Sequence, residues 1–193
     1  MKLELPTSKV TYKLPSILSV DEVKRVIKAT GNIKHKALLM VIYGAGLRVS
    51  EAVNLRLKDI DSDRMALHIR CSKNGKDRYV TLSPVVCKYL RIYWKYSHFT
   101  DYIFPGKKSG SAITTSTAGQ IYKQAKERAG IKKAGGIHAL RHAFATHLLE
   151  SGTDIFVIKE LLGHSSIQST ARYLRFIPCK DKNIKLPIDQ LDI

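Results

Sequence analysis

Two alternating stretches flank an Asn-Gly dipeptide, in a chain whose other segments repeat with helical period. "RMALHIR" (64–70) and "RYVTL" (78–82) alternate apolar and polar residues, the two-residue repeat of a strand with one buried face. Between them "KNGK" carries Asn74-Gly75. That pair tolerates the positive φ angles of a tight hairpin turn, so it is the strongest short signal for one. One hairpin set among helices predicts an α+β fold, mainly helical, with one small antiparallel sheet.

The helices around it have readable ends. In "SVDEVKRVIKATG", Ser19 and Glu22 have capping-box spacing, Val20, Val23, Val26 and Ile27 form an apolar face, and Gly31 offers a stop. A second helix is expected over about 34–44, with Leu38, Leu39, Val41 and Ile42 as core. The chain then turns through Gly44 and Gly46 into a third helix, which Arg48 enters at its first turn. Ser83-Pro84 starts another helix running to about Ser97, with Pro at its first position. "DYIFP" (101–105) reads as a short extended piece. Helices follow in "TSTAGQIYKQAKERAG" and "IHALRHAFATHLLESG" (amphipathic), closed by Gly130 and Gly152, and in "DIFVIKELLG", starting at Asp154, and a last helix is expected to hold Tyr173. Residues 1–16 contain two prolines and no helical period, so they read as a lead-in or linker. Residues 17–175 form one domain, a size that can bury a real core. Pro178 and Pro187 break the tail, 176–193.

Charge narrows the function. The 33 Lys and Arg residues against 16 Asp and Glu give a formal net charge of +17, an excess that in a folded chain points to a polyanion, most often nucleic acid. Cys71, Cys87 and Cys179 lie far apart without CxxC spacing. They suggest neither a disulfide framework nor a zinc site and fit a reducing compartment. The longest apolar run, "ALLMVIYGAGL", is too short to span a bilayer, and the first residues lack a signal-peptide pattern. A cytoplasmic protein is expected.

Metal chemistry finds little support. Asp59, Asp61 and Asp63 alternate like the start of a calcium loop, but Arg64 and Arg70 stand where that loop needs Gly and Glu. His138, His142 and His147 share a helix without HExxH spacing, and 138 and 147 do not keep one face. Walker and dinucleotide glycine patterns are absent from the sequence. Other residues gain meaning only as a set. His138 and Arg141, three apart, share a helix face, and Arg48 stands at a helix start, where anions bind. Lys73 flanks the hairpin turn, and "LLGHSSIQSTARYLR" (161–175) places His164 nine residues before Tyr173, itself between Arg172 and Arg175. Arginine forks can clamp phosphate oxygens, and a tyrosine can form a covalent phosphodiester. The set suits DNA strand cleavage without a metal.

The blocks "GAGLRVSEAVNLRLKDID", "KNGKDRYVTL" and "IHALRHAFATHLLESGTDIFVIKELLGHSSIQSTARYLR" resemble the catalytic domain of tyrosine recombinases, the phage-integrase family that includes Xer-type and integron integrases. The likeness runs from about Leu14 to Arg175, and the last block holds four family positions in order at family spacing. The resemblance implies the family's fold and a site-specific recombinase that needs no metal, ATP or other cofactor. It implies that Arg48 and Arg141 clamp the scissile phosphate and that Lys73 protonates the leaving 5′ oxygen. His138 would handle a proton by the nucleophile, His164 would hydrogen-bond a non-bridging oxygen, and Tyr173 would attack to leave a 3′-phosphotyrosine. Lys76, on the other side of the turn, is the rival to Lys73. The implied partners are double-stranded DNA and further copies of the chain on it, in a tetrameric synapse formed from monomers, in a prokaryotic nucleoid setting. The family's N-terminal DNA-clasping domain has no counterpart in these residues, and 1–16 resemble the linker that follows it. Two other readings stand beside this one: a type IB topoisomerase, and a regulator that binds DNA through the helix–turn–helix pattern of "DIFVIKELLGHSSIQSTARYLR". The regulator has no use for Arg48, Lys73 or His138.

Overall fold

The computed structural model describes residues 16–70 and 77–176. The Asn74-Gly75 turn, Lys73, Lys76, the lead-in before Ser16 and the tail beyond Phe176 lie outside the described residues. Helix α1 (Val20–Lys28) starts with the expected capping box: the Ser19 side chain accepts from the Glu22 N–H, and the Glu22 carboxylate accepts from the Ser19 N–H. Val23 and Val26 are buried, whereas Val20 is 58% exposed. As the first residue of the helix, Val20 precedes the turn at which the apolar stripe meets the core. The helix ends at Lys28, with Ala29 as its C-cap, earlier than Gly31 suggested.

Helix α2 (Ile33–Gly44) is the centre of the fold. Ala37 to Ile42 are all buried, and a helix apolar all round must be enclosed by other elements. It packs against α1, α3 (Val49–Val53), α4 (Pro84–Ser97), α5 (Thr115–Arg128) and α6 (His138–Glu150). At its end Gly46 adopts φ +61°, and a β-carbon there would lie 2.4 Å from the Phe144 ring. Only glycine fits this turn, which lets the chain pass under α6 and start α3.

The third helix is short, and Arg48 is its N-cap rather than part of its first turn. A 3₁₀ turn (Leu57–Asp59) then leads into β1 (Ile60–Asp61), a strand the sequence reading did not anticipate. The sheet has the order β1–β2–β3, with β2 (Ala66–Ile69) and β3 (Arg78–Thr81) antiparallel and Leu67 opposite Val80. Leu67, Ile69 and Val80 face the core, so the alternation seen in the sequence does mark the buried side.

Helix α6 is less amphipathic than expected. Ala139, Leu140 and Arg141 are consecutive and all buried, as are Ala143, Ala145 and Thr146. It is wedged between α2 on one side and α7 (Ile155–Leu162) with the last turn of the fold on the other. That last turn corrects a further expectation. Helix α8 spans only Ile167–Ala171, and Tyr173 sits in a separate 3₁₀ turn, Arg172–Phe176. Tyr173 is buried with Ala145, Ile158 and Leu162 in a small apolar cluster apart from the main core. Among the described residues, no helix is long and apolar enough to cross a membrane.

Candidate active site

The C-terminal end of α7 organises the charged residues. Its last carbonyls have no intrahelical partner and carry the negative end of the helix dipole. Three arginines from three elements meet three successive carbonyls there. Arg78 Nε donates to Leu161 O at 3.2 Å, Arg141 Nη2 to Leu162 O at 2.8 Å, and Arg48 Nη2 to Gly163 O at 3.1 Å. Gly163 closes the helix with φ +62°, and a β-carbon on it would come within 2.9 Å of the Arg78 side chain. The glycine therefore serves both the left-handed cap and the close approach of a guanidinium.

Glu51 lies among these cations. It takes a two-pronged ion pair from Arg78, at 2.9 and 2.8 Å, and a 2.8 Å bond from Arg48 Nη1. Arg141 Nη1 stands 3.8 Å away. Burial alone would raise the Glu51 carboxyl, but the hydrogen bonds from Arg78 and from Arg48, side chain and backbone, bring it down to about 2. An ionised Glu51 stabilises the fold above its ordinary value of 4.5, and this contribution is lost as pH falls through 4.5 towards about 2. Over that window the melting temperature should fall more steeply for the parent protein than for Glu51→Gln, which cannot titrate. Parallel acid curves for the two would contradict this account.

Arg141 is only 5% exposed. Besides Leu162 O, it donates through Nη1 to Gly46 O at 2.8 Å, and its Nη2 lies 3.2 Å from His164 Nε2. A guanidinium only donates, so Nε2 of His164 is the acceptor. The neutral imidazole then carries its proton on Nδ1 and gives it to Thr170 Oγ1, 2.8 Å away. Burial, followed by the charges of Arg141, Arg48 and Arg78, holds His164 down at about 4, so this neutral form is the one present near pH 7.

The Tyr173 phenol hydrogen-bonds to Nδ1 of His142 at 3.0 Å. Burial raises the phenol pKa, opposed by the charges of Arg141, Arg172 and Arg48. His138 is exposed, close enough to Arg141 and Arg48 to feel their charge, and has no hydrogen-bond partner among the described residues. Thus Arg48, Arg141, His164 and Tyr173 come together, with His138 at the rim. Glu51, Arg78 and Thr170 went unmarked in the sequence, and His142 was weighed there only as a metal ligand. Arg78 lies in the resembling block "KNGKDRYVTL", and His142 directly follows Arg141. Glu51 lies in the block "GAGLRVSEAVNLRLKDID" and Thr170 in the last block, so membership of a resembling block was the shared signal.

Comparison with known proteins identifies the family. The phage integrase family matches residues 16–177, and the chain belongs to that family. It is 46% identical to the Sinorhizobium fredii integrase/recombinase y4qK over 171 residues, which are 89% of this chain and 56% of that protein. It is 35% identical to the tyrosine recombinase XerA of Pyrococcus horikoshii, across 89% of this chain and 61% of XerA. The crystal structure of XerA recombinase superposes with a TM-score of 0.79 at 31% identity, over 91% of this chain and 64% of that one. XerH bound to palindromic difH substrate, a post-cleavage complex, superposes with a TM-score of 0.75 at 26% identity, over 85% of this chain and 50% of XerH. The chain therefore spans between half and two thirds of the length of the chain in each of these four matches.

Proposed function

We propose that this chain is the catalytic part of a site-specific DNA recombinase, cutting and rejoining DNA through a covalent bond between Tyr173 and a 3′ phosphate. The observation that carries the reading is the gathering of Arg48, Arg78 and Arg141 on the carbonyls of α7, with the Tyr173 phenol near enough to Arg141 and Arg48 to feel their charge. A scissile phosphodiester carries one negative charge, and more builds on its non-bridging oxygens as the tyrosine attacks. Fixed guanidinium groups meet that charge without reorganising. Arg48 and Arg141 clamp those oxygens, while Arg78 is committed to Glu51 and braces the other two.

His164 has a defined part in this scheme. With Nε2 accepting from Arg141, it has no proton there to offer a phosphate. The arriving anion adds negative charge beside it, which favours the protonated ring and so supplies an Nε2–H donor, while Thr170 keeps the ring oriented through Nδ1. The full reaction partners, double-stranded DNA and a tetrameric assembly of copies on it, belong to this proposal, as does a prokaryotic cytoplasm. So does the division of the chain into lead-in (1–16), catalytic domain (17–175) and tail (176–193).

The test is covalent capture. The protein, incubated with a nicked substrate whose cut strand cannot religate, should form a protein–DNA adduct in the presence of EDTA. Mass spectrometry should place the phosphodiester on Tyr173. Absence of any adduct would favour the non-catalytic regulator, and adduct formation with relaxation of plasmids lacking any particular site would favour a type IB topoisomerase.

Lys73 is assigned as the acid that protonates the 5′ oxygen, a role carried over from the family pattern. Lys73→Ala should slow cleavage by about 10²–10⁴, the range for a positioned general acid, and Lys76→Ala should mainly weaken DNA binding. A substrate with sulfur at the bridging 5′ position has a leaving group that needs no proton. It should restore the Lys73 variant and not the Lys76 variant, and the reverse pattern would move the acid to Lys76.

A further inference from the structure

Three histidines project from α6, and their surroundings differ. His147 Nδ1 lies 3.0 Å from the Tyr43 hydroxyl of α2. His138 is exposed and without a hydrogen-bond partner among the described residues. His142 is half-buried, and its Nδ1 lies 3.0 Å from the Tyr173 hydroxyl, with the two ring centroids 5.7 Å apart.

If Tyr173 attacks phosphorus, its phenol has to lose a proton during the attack. Burial raises the phenol pKa, so an ionised tyrosine is not available beforehand near neutral pH. The acceptor has to be within hydrogen-bond reach of the phenol oxygen. Among the described residues, His142 is the side chain that meets this condition. The groups around it are His138 and Arg141 on α6, Tyr173 on the last turn, and His164 after α7. Burial, with His138 and Arg141, holds its pKa below 6.5, so its lone pair is available at neutral pH.

We infer that His142, and not His138, receives the phenol proton of Tyr173, an inference that rests on the assignment of Tyr173 as nucleophile. In the forward step the phenol oxygen forms its bond to phosphorus while its proton passes to His142 Nδ1, leaving an imidazolium. The bond between phosphorus and the 5′ oxygen breaks, and that oxygen takes a proton from the acid assigned to Lys73. In rejoining, the 5′ hydroxyl attacks, its proton returns to that acid, and the imidazolium returns the first proton to the departing phenol oxygen. His138 keeps an electrostatic part at the rim.

The test uses single-turnover cleavage of the nicked substrate at saturating DNA, followed against pH. His142→Asn keeps an acceptor near the phenol but lacks basicity. Its cleavage at pH 7 should fall by about 10²–10⁴. Its rate should then rise roughly tenfold per pH unit as hydroxide replaces the lost base, whereas the parent rate stays flat. Replacing Tyr173 by a ring-fluorinated tyrosine, whose phenol is more acidic, should recover most of the loss. His142→Gln should behave in the same way, so that misfolding of one variant does not decide the matter. A His142 variant with the parent rate, or with a slow, flat and unrescued profile, would overturn the inference. So would the same pH signature in His138→Asn instead. If the parent protein forms no adduct, the nucleophile assignment fails and the inference falls with it. If the parent forms the adduct at Tyr173, that assignment stands and the His142 profiles alone judge the inference.

Discussion

Tyr173→Phe is expected to leave no detectable covalent adduct while DNA binding persists. The phenol oxygen is the only heavy atom removed, and in the proposed reaction it is the atom that bonds phosphorus, so that reaction predicts no partial activity at this position. The substitution should also be mild for the fold. The ring is 6% exposed and packs on Ala145, Ile158 and Leu162, and phenylalanine preserves those contacts. What is lost is one hydrogen bond to His142, a net cost of about 1 kcal/mol. The arginines on α7 are untouched, so retention of the protein on labelled DNA in a gel shift should match the parent at the same salt. An adduct that persists in this variant would transfer the nucleophile to another of the nine tyrosines. Loss of binding together with loss of the adduct would mean that the ring supports the arginine cluster, and the separation of roles argued here would fail.

The contrast between what the sequence revealed and what it hid follows from the range of the interactions. Helix starts are local: the Ser19–Glu22 capping box and Asp154 at the start of α7 involve residues two or three apart, as does Asn32 capping α2, which the sequence reading passed over. Such features can be read from one dimension. The spacing of Arg141, His164 and Tyr173 within one resembling block likewise marked them as a set before any geometry was known. The braces of the site are of another kind. Glu51 meets Arg78 across 27 positions, and Arg78 meets Leu161 across 83. Nothing in the order of residues says which of 33 basic side chains a given carboxylate will find. His142 shows the same limit at shorter range. The sequence placed it four residues from His138 on one helix, but only the course of the last 3₁₀ turn decides which of the two the phenol meets. A regular helix through Tyr173 was expected, and the change to 3₁₀ geometry after Ala171 is where that expectation failed.

Arg141→Lys should be nearly as damaging as loss of the nucleophile, although it keeps the charge. A guanidinium has five N–H donors in a planar fork. Here Nη2 spends both of its protons, on Leu162 O and His164 Nε2, and Nη1 spends one on Gly46 O. The Nε–H and one Nη1 proton remain for the phosphate, joined by the Nη2 proton that His164 releases once its own Nε2 is protonated. An ammonium has three donors, so satisfying Leu162 O and Gly46 O would leave one for the substrate, where the guanidinium leaves three. It also cannot span two oxygens in one plane. Cleavage should therefore fall by about 10³–10⁵, the measured worth of an arginine at a transferring phosphoryl group, while the fold survives because the buried carbonyls keep a donor. Arg141→Ala should cost stability as well, about 3–5 kcal/mol, since it strips Glu51 of one cation and leaves two carbonyls unpaired in a buried site. The distinguishing measurement is chemical rescue. Guanidinium ion added at millimolar concentration should partly restore cleavage by the alanine variant at a temperature where it is folded, and ammonium at equal ionic strength should not. A lysine variant within tenfold of the parent, or equal rescue by both ions, would show that Arg141 acts through charge alone and that the fork geometry set by Gly46 and Leu162 is not what the reaction uses.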